Sequence, residues 1–194
     1  MILGITGGMG CGKSTAARLF ERHNFRRIDS DALVRERVLH SAAVLAALRV
    51  HFGESAFKAD GLIDRAALAA KVFADDAERR WLEELTHPPL FALWREQLSS
   101  EKGADWVVEV PLLFEHALEN WFDFTVCVAC SPELQLVRLE QRGLPRSLAG
   151  PRISKQLPLA RKIELSDFVL WNDGSAAFLQ DEVDHLTGSL PFKR

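Results

Sequence analysis

The stretch GITGGMGCGKST, residues 4–15, decides the fold of this chain. Residues 7–14 fit the pattern G-x-x-x-x-G-K-[ST], which forms a phosphate-binding loop when a buried strand precedes it and a helix follows. Here residues 2–6 are apolar enough for a buried strand, and residues 13–23 have the spacing of a helix. Glycines let successive backbone N–H groups converge on phosphate oxygens. A glycine-rich turn without a ligand is the alternative, but such a turn does not require Lys13 and Ser14.

The side chains at the end of this loop predict a bound nucleoside triphosphate. Lys13 places a positive charge near the β- and γ-phosphates, and the Ser14 hydroxyl can bind Mg²⁺. Thr15 is positioned to contact the α-phosphate side. Cys11 has two interpretations: a redox-sensitive thiol, since helix N-termini lower thiol pKa values, or a small side chain that fits the loop.

Short apolar strands separated by helical segments predict an α/β protein. The candidate strands are residues 2–6, 27–29, 106–110, 124–129 and 168–171. Because strands joined by helices pair in parallel, we expect a three-layer sandwich of the P-loop nucleoside triphosphatase type with about five parallel strands. A helical insertion, residues 32–100, follows the second strand, and we expect His87-Pro88-Pro89 to interrupt one of its helices.

Acidic residues at strand ends are candidates for catalysis and for Mg²⁺ binding. Asp29 and Asp31 follow the second strand, and in an open parallel sheet ligands bind beyond the carboxyl ends of the strands. A carboxylate there can accept a proton from an attacking hydroxyl or position Mg²⁺, whereas Asp31 can equally cap the next helix. Glu109 ends a buried strand, where it predicts either a Mg²⁺-binding acidic residue or a buried ion pair.

A cluster of basic residues precedes the last strand. Arg138 and Arg142 are four residues apart on one predicted helix, and Arg146 and Arg152 follow in an expected loop rich in glycine and proline. Such a segment predicts a mobile lid whose arginines close over ATP and stabilise the transferring phosphoryl group. A solvated run of charges is the alternative interpretation.

Composition and charge limit the classes of function. The 194 residues carry a net charge of −3, which leaves no positive surplus for a nucleic-acid backbone. No apolar run approaches the length of a membrane span, and no signal-peptide pattern is visible. The three cysteines do not suit a disulfide scaffold, so we expect a cytoplasmic protein. Cys127 and Cys130 fall at a predicted strand, and we expect both to be small core residues.

Eight blocks of sequence, in this order, carry a resemblance to a known family. They are GITGGMGCGKST (4–15), IDSDALVRE (28–36), DGLIDRAAL (60–68), LTHPPL (85–90), VPLLFE (110–115), QLVRLEQRG (135–143), RISKQLPLARK (152–162) and WNDGS (171–175). Through them the chain resembles the dephospho-CoA kinase family from residue 2 to about residue 174.

The resemblance implies both a domain organisation and a reaction. The domains are a kinase core of residues 1–31, 104–141 and 163–194, a helical acceptor domain of residues 32–103 and a lid of residues 142–162. The reaction is phosphorylation of the ribose 3′-hydroxyl of dephospho-CoA by ATP with Mg²⁺, the last step of coenzyme A synthesis. The partners are these small molecules, without a nucleic acid or a membrane, and we expect a monomer or a small homo-oligomer.

The resemblance also assigns roles to single residues. Asp31 corresponds to the general base, and we count Lys13 and Arg142 as catalytic beside it. The predicted ATP-binding residues are Gly8, Met9, Gly10, Cys11, Gly12, Lys13, Ser14, Thr15, Arg152 and Asn172. The predicted acceptor-side residues are Arg65, Thr86, His87 and Leu113.

Two departures and two alternatives accompany this resemblance. Cys11 stands where relatives often have serine, and Pro151 precedes Arg152, where it can begin a lid helix at its first turn. Another P-loop kinase, acting on a nucleoside, nucleotide or sugar, is an alternative because the loop recognises phosphates and not the acceptor. A nucleotide-dependent switch protein is a further alternative, although the guanine-binding pattern N-K-x-D is absent from the sequence.

Overall fold

The computed structural model describes residues 1–191, except the side chain of Phe73. The chain divides into two compact units, one comprising Met1–Asp29 and the chain from Gly103 onward, the other comprising Ser30–Lys102. The end of the predicted core segment 163–194, residues 192–194, lies outside the described residues. Within the described part of the chain, no helix is both long enough and apolar enough to cross a membrane.

In residues 1–191, five parallel strands form the sheet of the first unit, in the order β2-β3-β1-β4-β5. They are β1 (Ile2–Gly7), β2 (Arg26–Asp29), β3 (Trp106–Glu109), β4 (Phe124–Ala129) and β5 (Phe168–Trp171). Ile5 of β1 pairs with Glu109 on one side and with Val126 on the other, so β1 is the central strand. Parallel strands covered on both faces are apolar along their length, and β1 and β4 follow this rule. The predicted α/β fold with about five parallel strands is confirmed.

Nine α-helices occur in the described residues. They are α1 (Lys13–Glu21), α2 (Ser30–Glu36), α3 (Ala42–Phe52), α4 (Arg65–Ala74), α5 (Asp76–Ser100), α6 (Pro132–Gln141), α7 (Arg146–Ser154), α8 (Leu159–Leu165) and α9 (Ala176–Ser189). Helices α2 to α5 make up most of the second unit, so the helical structure predicted for residues 32–100 is present.

Apolar side chains of the sheet and of α1 and α9 form the core of the first unit. Phe20 of α1, Val183 of α9 and Ile5 of the central strand are all fully buried in one cluster. Burying a side chain of this size stabilises a fold by about 1.5–3 kcal/mol. This core therefore fixes the strand ends from which the polar residues described below project.

The prediction that His87-Pro88-Pro89 interrupts a helix is wrong, because α5 runs through both prolines. A proline inside a helix lacks an N–H donor and costs about 3 kcal/mol. One face of α5 carries Thr86, Leu90 and Trp94 at helical spacing, and all three are buried. The burial of this face, together with packing against α2 and α4, offsets the missing hydrogen bonds.

The basic segment before the last strand is helical, whereas we expected a loop. Helix α7 begins at Arg146 and continues through Gly150 and Pro151, so Pro151 lies inside the helix and does not begin it. Ala149 of α7 is fully buried, and the helix packs against α6. Packing again stabilises a helix that its glycine and proline content disfavours.

A buried ion pair anchors α8, which contains the last residue of the predicted lid segment. Lys162 is fully buried, and its Nζ atom lies 2.8 Å from Glu115 Oε1 and 2.6 Å from the carbonyl oxygen of Pro111. Glu115 Oε1 also accepts a hydrogen bond from the Leu157 amide at 2.9 Å. Removing one partner of a buried pair costs about 3–5 kcal/mol, so α8 is firmly attached to the chain that follows β3.

Gly7→Ala is expected to lower the free energy of unfolding by about 2–4 kcal/mol. Gly7 has a φ of +139°, and a Cβ there would lie 2.1 Å from the carbonyl oxygen of Val128. Denaturant unfolding followed by circular dichroism measures the change. Gly188→Ala in α9 is the matched control, since a Cβ there meets no atom within 4 Å. Equal effects of the two substitutions would contradict the prediction.

Candidate active site

The loop between β1 and α1 has the geometry of an anion site. Gly12 has a φ of +99°, and a Cβ there would lie 2.2 Å from the Nδ2 atom of Asn172, so the position requires glycine. Gly12 also leaves the N-terminus of α1 without a side-chain cap. The N–H groups and the positive dipole end of a helix attract an anion at such a terminus.

The Lys13 ammonium lies against this loop. Its Nζ atom donates hydrogen bonds to the carbonyl oxygens of Gly7 at 3.2 Å and Gly8 at 3.0 Å. Ser14 and Thr15 follow in the first turn of α1. The predicted ATP-binding residues 8–15 therefore lie in one continuous segment, the loop and the first turn of α1, with the Lys13 ammonium beside it.

Side chains from α6 and from the end of β5 brace the loop. The Gln135 amide donates to the Met9 carbonyl oxygen at 2.9 Å, and the Asn172 amide donates to the Cys11 carbonyl oxygen at 2.8 Å. Arg138 donates to the carbonyl oxygens of Asn172 at 2.8 Å and of Cys11 at 3.5 Å. Asn172, predicted from the sequence, thus contacts the backbone of the loop itself.

Gln135 and Arg138 support the loop in a way that was not predicted. We expected Arg138 only as part of the basic cluster that precedes the lid, and we gave Gln135 no role. The two residues are three positions apart on α6, a spacing that places them on one helix face. That spacing was the only sign in the sequence of a shared role for the two residues. Their contact with the loop could not be predicted, because it depends on β4 lying next to β1.

Glu109 contacts Ser14 at the carboxyl end of β3. The Ser14 hydroxyl donates to Glu109 Oε1 at 2.5 Å, and an Arg27 guanidinium nitrogen lies 3.6 Å from Glu109 Oε2. The same nitrogen lies 3.6 Å from Asp29 Oδ2, and Asp29 pairs with Glu109 in the register of β2 and β3. Glu109 therefore has an ion-pair partner, Arg27, and also contacts the serine predicted to bind Mg²⁺.

Burial is the main reason that the pKa of the Glu109 carboxyl is raised above its ordinary value. The hydrogen bond from Ser14 lowers this pKa, and the neighbouring Asp29 raises it. The positive charges of Lys13 and Arg27 lower it further, without restoring the ordinary value. Because the side chain is buried beside another carboxylate, the ionised form gains from an additional cation.

The donor atoms around Glu109 fit Mg²⁺. This ion prefers oxygen ligands and usually retains water and substrate phosphates in its coordination shell. Ser14 and Glu109 present oxygens, and Glu109 Oε2 is buried without a hydrogen-bond partner in the described part of the chain. No group of three or more acidic, histidine or cysteine side chains in residues 1–191 is arranged to hold a metal. The remaining ligands would therefore come from water and from a bound nucleotide.

The three arginines of the predicted lid are all exposed. Arg146 is exposed and donates to Glu133 at 2.9 Å and to Glu140 at 3.3 Å. These contacts agree with the alternative interpretation of the segment as a solvated run of charges. Arg142 is exposed at the end of α6, and Arg152 is exposed in α7. The roles of Arg142 and Arg152 stay predictions.

A cavity of about 310 Å³ in the second unit brings Asp31 and Arg65 together. Asp31 is exposed in the first turn of α2, and Arg65 begins α4. Arg35 adds a second guanidinium to the lining. The remaining walls are apolar and consist of Val34, Leu39, Leu68, Ala69, Val72 and Leu82. Such a lining suits an aliphatic ligand that also carries polar or anionic groups.

The other three predicted acceptor residues do not line this cavity. Thr86 is buried, and its hydroxyl donates to the Leu82 carbonyl oxygen at 2.8 Å within α5. His87 is half-buried, and its ring centre lies 5.5 Å from that of Phe91. Leu113 is fully buried in the first unit. A role for these residues in binding the acceptor stays a prediction.

This chain matches a family of known proteins over most of its length. A family model described as dephospho-CoA kinase matches residues 1–177. A dephospho-CoA kinase from Thermosynechococcus vestitus is 40% identical over 184 residues, which cover 94% of this chain and 91% of the relative.

Solved structures show the same relationship. A protein from Thermus thermophilus has a TM-score of 0.86 at 34% identity and covers 98% of this chain and 97% of its own. A dephospho-CoA kinase from Campylobacter jejuni has a TM-score of 0.70 at 28% identity, with 96% and 95% covered. The fold and its phosphate-binding loop thus define a P-loop kinase. The chain belongs to the dephospho-CoA kinase family, and the prediction of an enzyme of this family is confirmed.

Proposed function

We propose that this chain transfers the γ-phosphoryl group of ATP to the ribose 3′-hydroxyl of dephospho-CoA, giving CoA and ADP. One observation carries the proposal: a phosphate-binding loop with Lys13 beside it and Ser14 bonded to Glu109, in a chain of the dephospho-CoA kinase family. The reaction is the last step of coenzyme A synthesis, and in it the protein supplies position and charge rather than covalent chemistry.

The loop and its neighbours bind ATP in this proposal. Backbone N–H groups of residues 8–15 surround the phosphates, and the Lys13 ammonium moves from the loop carbonyls to the β- and γ-phosphates. Ser14 and Glu109 hold Mg²⁺, which when bound with ATP offsets negative charge on the phosphates. Gln135, Arg138 and Asn172 keep the loop in the conformation that binds.

Asp31 accepts the proton of the 3′-hydroxyl as that oxygen attacks the γ-phosphorus. Support comes from its position two residues after the end of β2 and from its place in a cavity with Arg65 and Arg35. The apolar walls of this cavity suit the aliphatic arm of dephospho-CoA, and the guanidinium groups suit its phosphates. Arg142 and Arg152 stabilise the transferring phosphoryl group as lid arginines, in agreement with the family resemblance.

A product assay tests the proposed reaction. The purified chain is mixed with dephospho-CoA and Mg-ATP, or with Mg-GTP in a parallel sample, and the products are resolved by mass spectrometry. We expect CoA and ADP, with ATP strongly preferred. A folded protein that binds ATP but forms no CoA would overturn the acceptor, and nucleosides and sugars would then be screened. A clear preference for GTP without transfer would instead support a switch protein.

Glu109→Gln is expected to lower the affinity for Mg²⁺ in the presence of ATP by about 10- to 100-fold, since the amide keeps the shape but removes the charge. The metal dependence of the reaction rate at fixed ATP measures this loss. Glu96→Gln is the matched control, because Glu96 is exposed in α5 of the second unit. An unchanged metal dependence would contradict the role of Glu109.

Glu109→Gln, which is expected to weaken Mg²⁺ binding, is also expected to raise the free energy of unfolding of the protein without ATP. The pKa of Glu109 is raised above its ordinary value of 4.5. Between these two values the folded state retains a proton that the unfolded state has lost, so stability falls as the pH rises through this window. Glutamine does not ionise. Without ATP, the stability of the variant relative to that of the wild type should therefore be greater at about pH 7 than at about pH 4. Thermal unfolding of both proteins at the two pH values measures this difference.

We also infer that the protein works in the cytoplasm as a monomer or a small homo-oligomer, without a nucleic-acid or membrane partner. Support comes from the three free cysteines and from the net charge of −3. Analytical ultracentrifugation of the reduced protein measures the oligomeric state.

A further inference from the structure

Two thiols meet beside the phosphate-binding loop. Cys11 lies within the loop, and Cys130 directly follows the last residue of β4. Their sulfur atoms are 3.5 Å apart, and both side chains are almost completely buried. Cys127 is also buried, but it lies within β4. The proposed transfer reaction uses none of these thiol groups.

We propose that Cys11 and Cys130 form a reversible disulfide and that this bond switches off nucleotide binding by the loop. The inference rests on the phosphate-binding part of the proposed function, and it does not depend on the identity of the acceptor.

The two thiols are chemically unequal in the way that disulfide formation requires. The Cys130 thiol donates a hydrogen bond to the Cys11 sulfur, which is the main reason that the pKa of Cys11 is lowered below its ordinary value. Burial opposes this effect, and the charge of Lys13 adds to it. The same hydrogen bond and burial raise the pKa of Cys130. Cys11 is therefore the thiol of the pair that ionises more readily, and its thiolate acts as the nucleophile.

Hydrogen peroxide is the oxidant that we name, because it is small enough to reach a buried pair when the loop opens. The Cys11 thiolate attacks one peroxide oxygen, the O–O bond breaks, and the departing hydroxide takes up a proton to become water. Cys130 then loses its proton and attacks the sulfur of the Cys11 sulfenic acid. The S–O bond breaks, the S–S bond forms, and a second water leaves with that proton. The two thiols together lose two electrons, and the peroxide gains them.

The new bond would distort the loop. A disulfide has an S–S length of about 2.05 Å, so the two sulfurs must approach by about 1.5 Å. Strand β4 is held between β1 and β5, so the loop is the side that moves. The Cys11 carbonyl is bonded to Asn172, and the next residue, Gly12, has a left-handed conformation. A displacement there moves the N–H groups that must reach the phosphate oxygens.

The test combines peptide mapping with ATP binding in the full chain. Reduced protein is treated with hydrogen peroxide, digested without reductant and mapped by mass spectrometry. In parallel, the affinity for ATP is measured by calorimetry before treatment, after treatment and after dithiothreitol. Cys130→Ala removes one partner. Cys127→Ala is the matched control, because burial raises the pKa of that thiol to about 12 and makes it a poor nucleophile. Each variant is compared with its own untreated sample.

We expect the wild type and Cys127→Ala to yield a peptide that links Cys11 to Cys130. Their ATP affinity should fall by about tenfold or more, the loss expected when one hydrogen bond to a charged group breaks, and dithiothreitol should restore it. Cys130→Ala should form no linked peptide and keep its affinity.

Three results would overturn the inference. They are absence of the linked peptide, a linked peptide with unchanged ATP affinity, and an equal loss of affinity in Cys130→Ala, which would point to oxidation of a single side chain such as Cys11 or Met9 and not to the disulfide. Untreated protein that binds no ATP would overturn the role of the loop together with the switch. A failure to make CoA would affect none of these measurements, because no acceptor is present.

Discussion

Alanine at Lys13 is expected to lower kcat/KM for ATP by about 10²- to 10³-fold, the loss seen when one preorganised charge or donor is removed from a transition state. The Lys13 ammonium lies against the phosphate-binding loop, bonded to the carbonyl oxygens of Gly7 and Gly8. In the proposed reaction it moves to the β- and γ-phosphates, where negative charge shifts during transfer. Steady-state kinetics with varied ATP measure the effect.

The control for this variant is Lys102→Ala, which removes the same charge from an exposed position near the end of the second unit. We expect wild-type kinetics from Lys102→Ala and a wild-type circular dichroism spectrum from both variants. A Lys13→Ala enzyme with nearly full kcat/KM would show that the loop does not hold ATP in the proposed way.

Asparagine at Asp31 is expected to lower kcat by about 10²- to 10⁴-fold and to leave the KM for ATP nearly unchanged. Asparagine has the size of aspartate and can still cap a helix, but it does not accept a proton at neutral pH. If Asp31 only capped α2, Asp31→Asn would therefore leave kcat unchanged. The variant thus separates the interpretation of Asp31 as a proton acceptor from its interpretation as a helix cap. Kinetics with both substrates varied, followed by product analysis, measure the change.

Asp181→Asn is the matched control, because Asp181 is exposed in α9 of the first unit. It should show the kinetics of the wild type. If Asp31→Asn also retains the wild-type kcat while forming CoA, then another group accepts the proton, and Asp29 would be tested next by the same substitution.

Local patterns in the sequence predicted the parts of the fold that depend on near neighbours. The phosphate-binding loop was predictable because all of its features lie in one short segment of sequence. These features are the left-handed conformations of Gly7 and Gly12 and the charge of Lys13. The strands were predictable because parallel strands buried on both faces are apolar throughout. These features need no knowledge of which strands are adjacent.

Contacts between distant segments were not predictable in this way. Arg27 reaches Glu109 because β2 lies beside β3, and Arg138 reaches Cys11 because β4 lies beside β1. Neither strand order nor register can be read from the residues themselves. Lys162 had the appearance of one more basic residue in a charged segment, yet it is fully buried against Glu115.

Helix continuity was wrongly predicted where local preference and tertiary packing disagree. Pro88 and Pro89 lie inside α5, and Pro151 lies inside α7. In each case a buried residue of the same helix, Trp94 or Ala149, contributes packing energy that the propensity of a single residue does not include.

The attachment of α8 to Glu115 affects how α7, the helix that carries Arg146 and Arg152, can move. The first residue of α7, Arg146, is attached to α6 by exposed ion pairs, each worth about 0–1 kcal/mol. Beyond the C-terminal end of α7, Leu157 and Lys162 are bonded to Glu115 in a buried cluster that is far more costly to break. The side-chain contacts at the N-terminal end of α7 are therefore weaker than those beyond its C-terminal end, and a movement of α7 about residues 155–157 would carry Arg146 farther than Arg152.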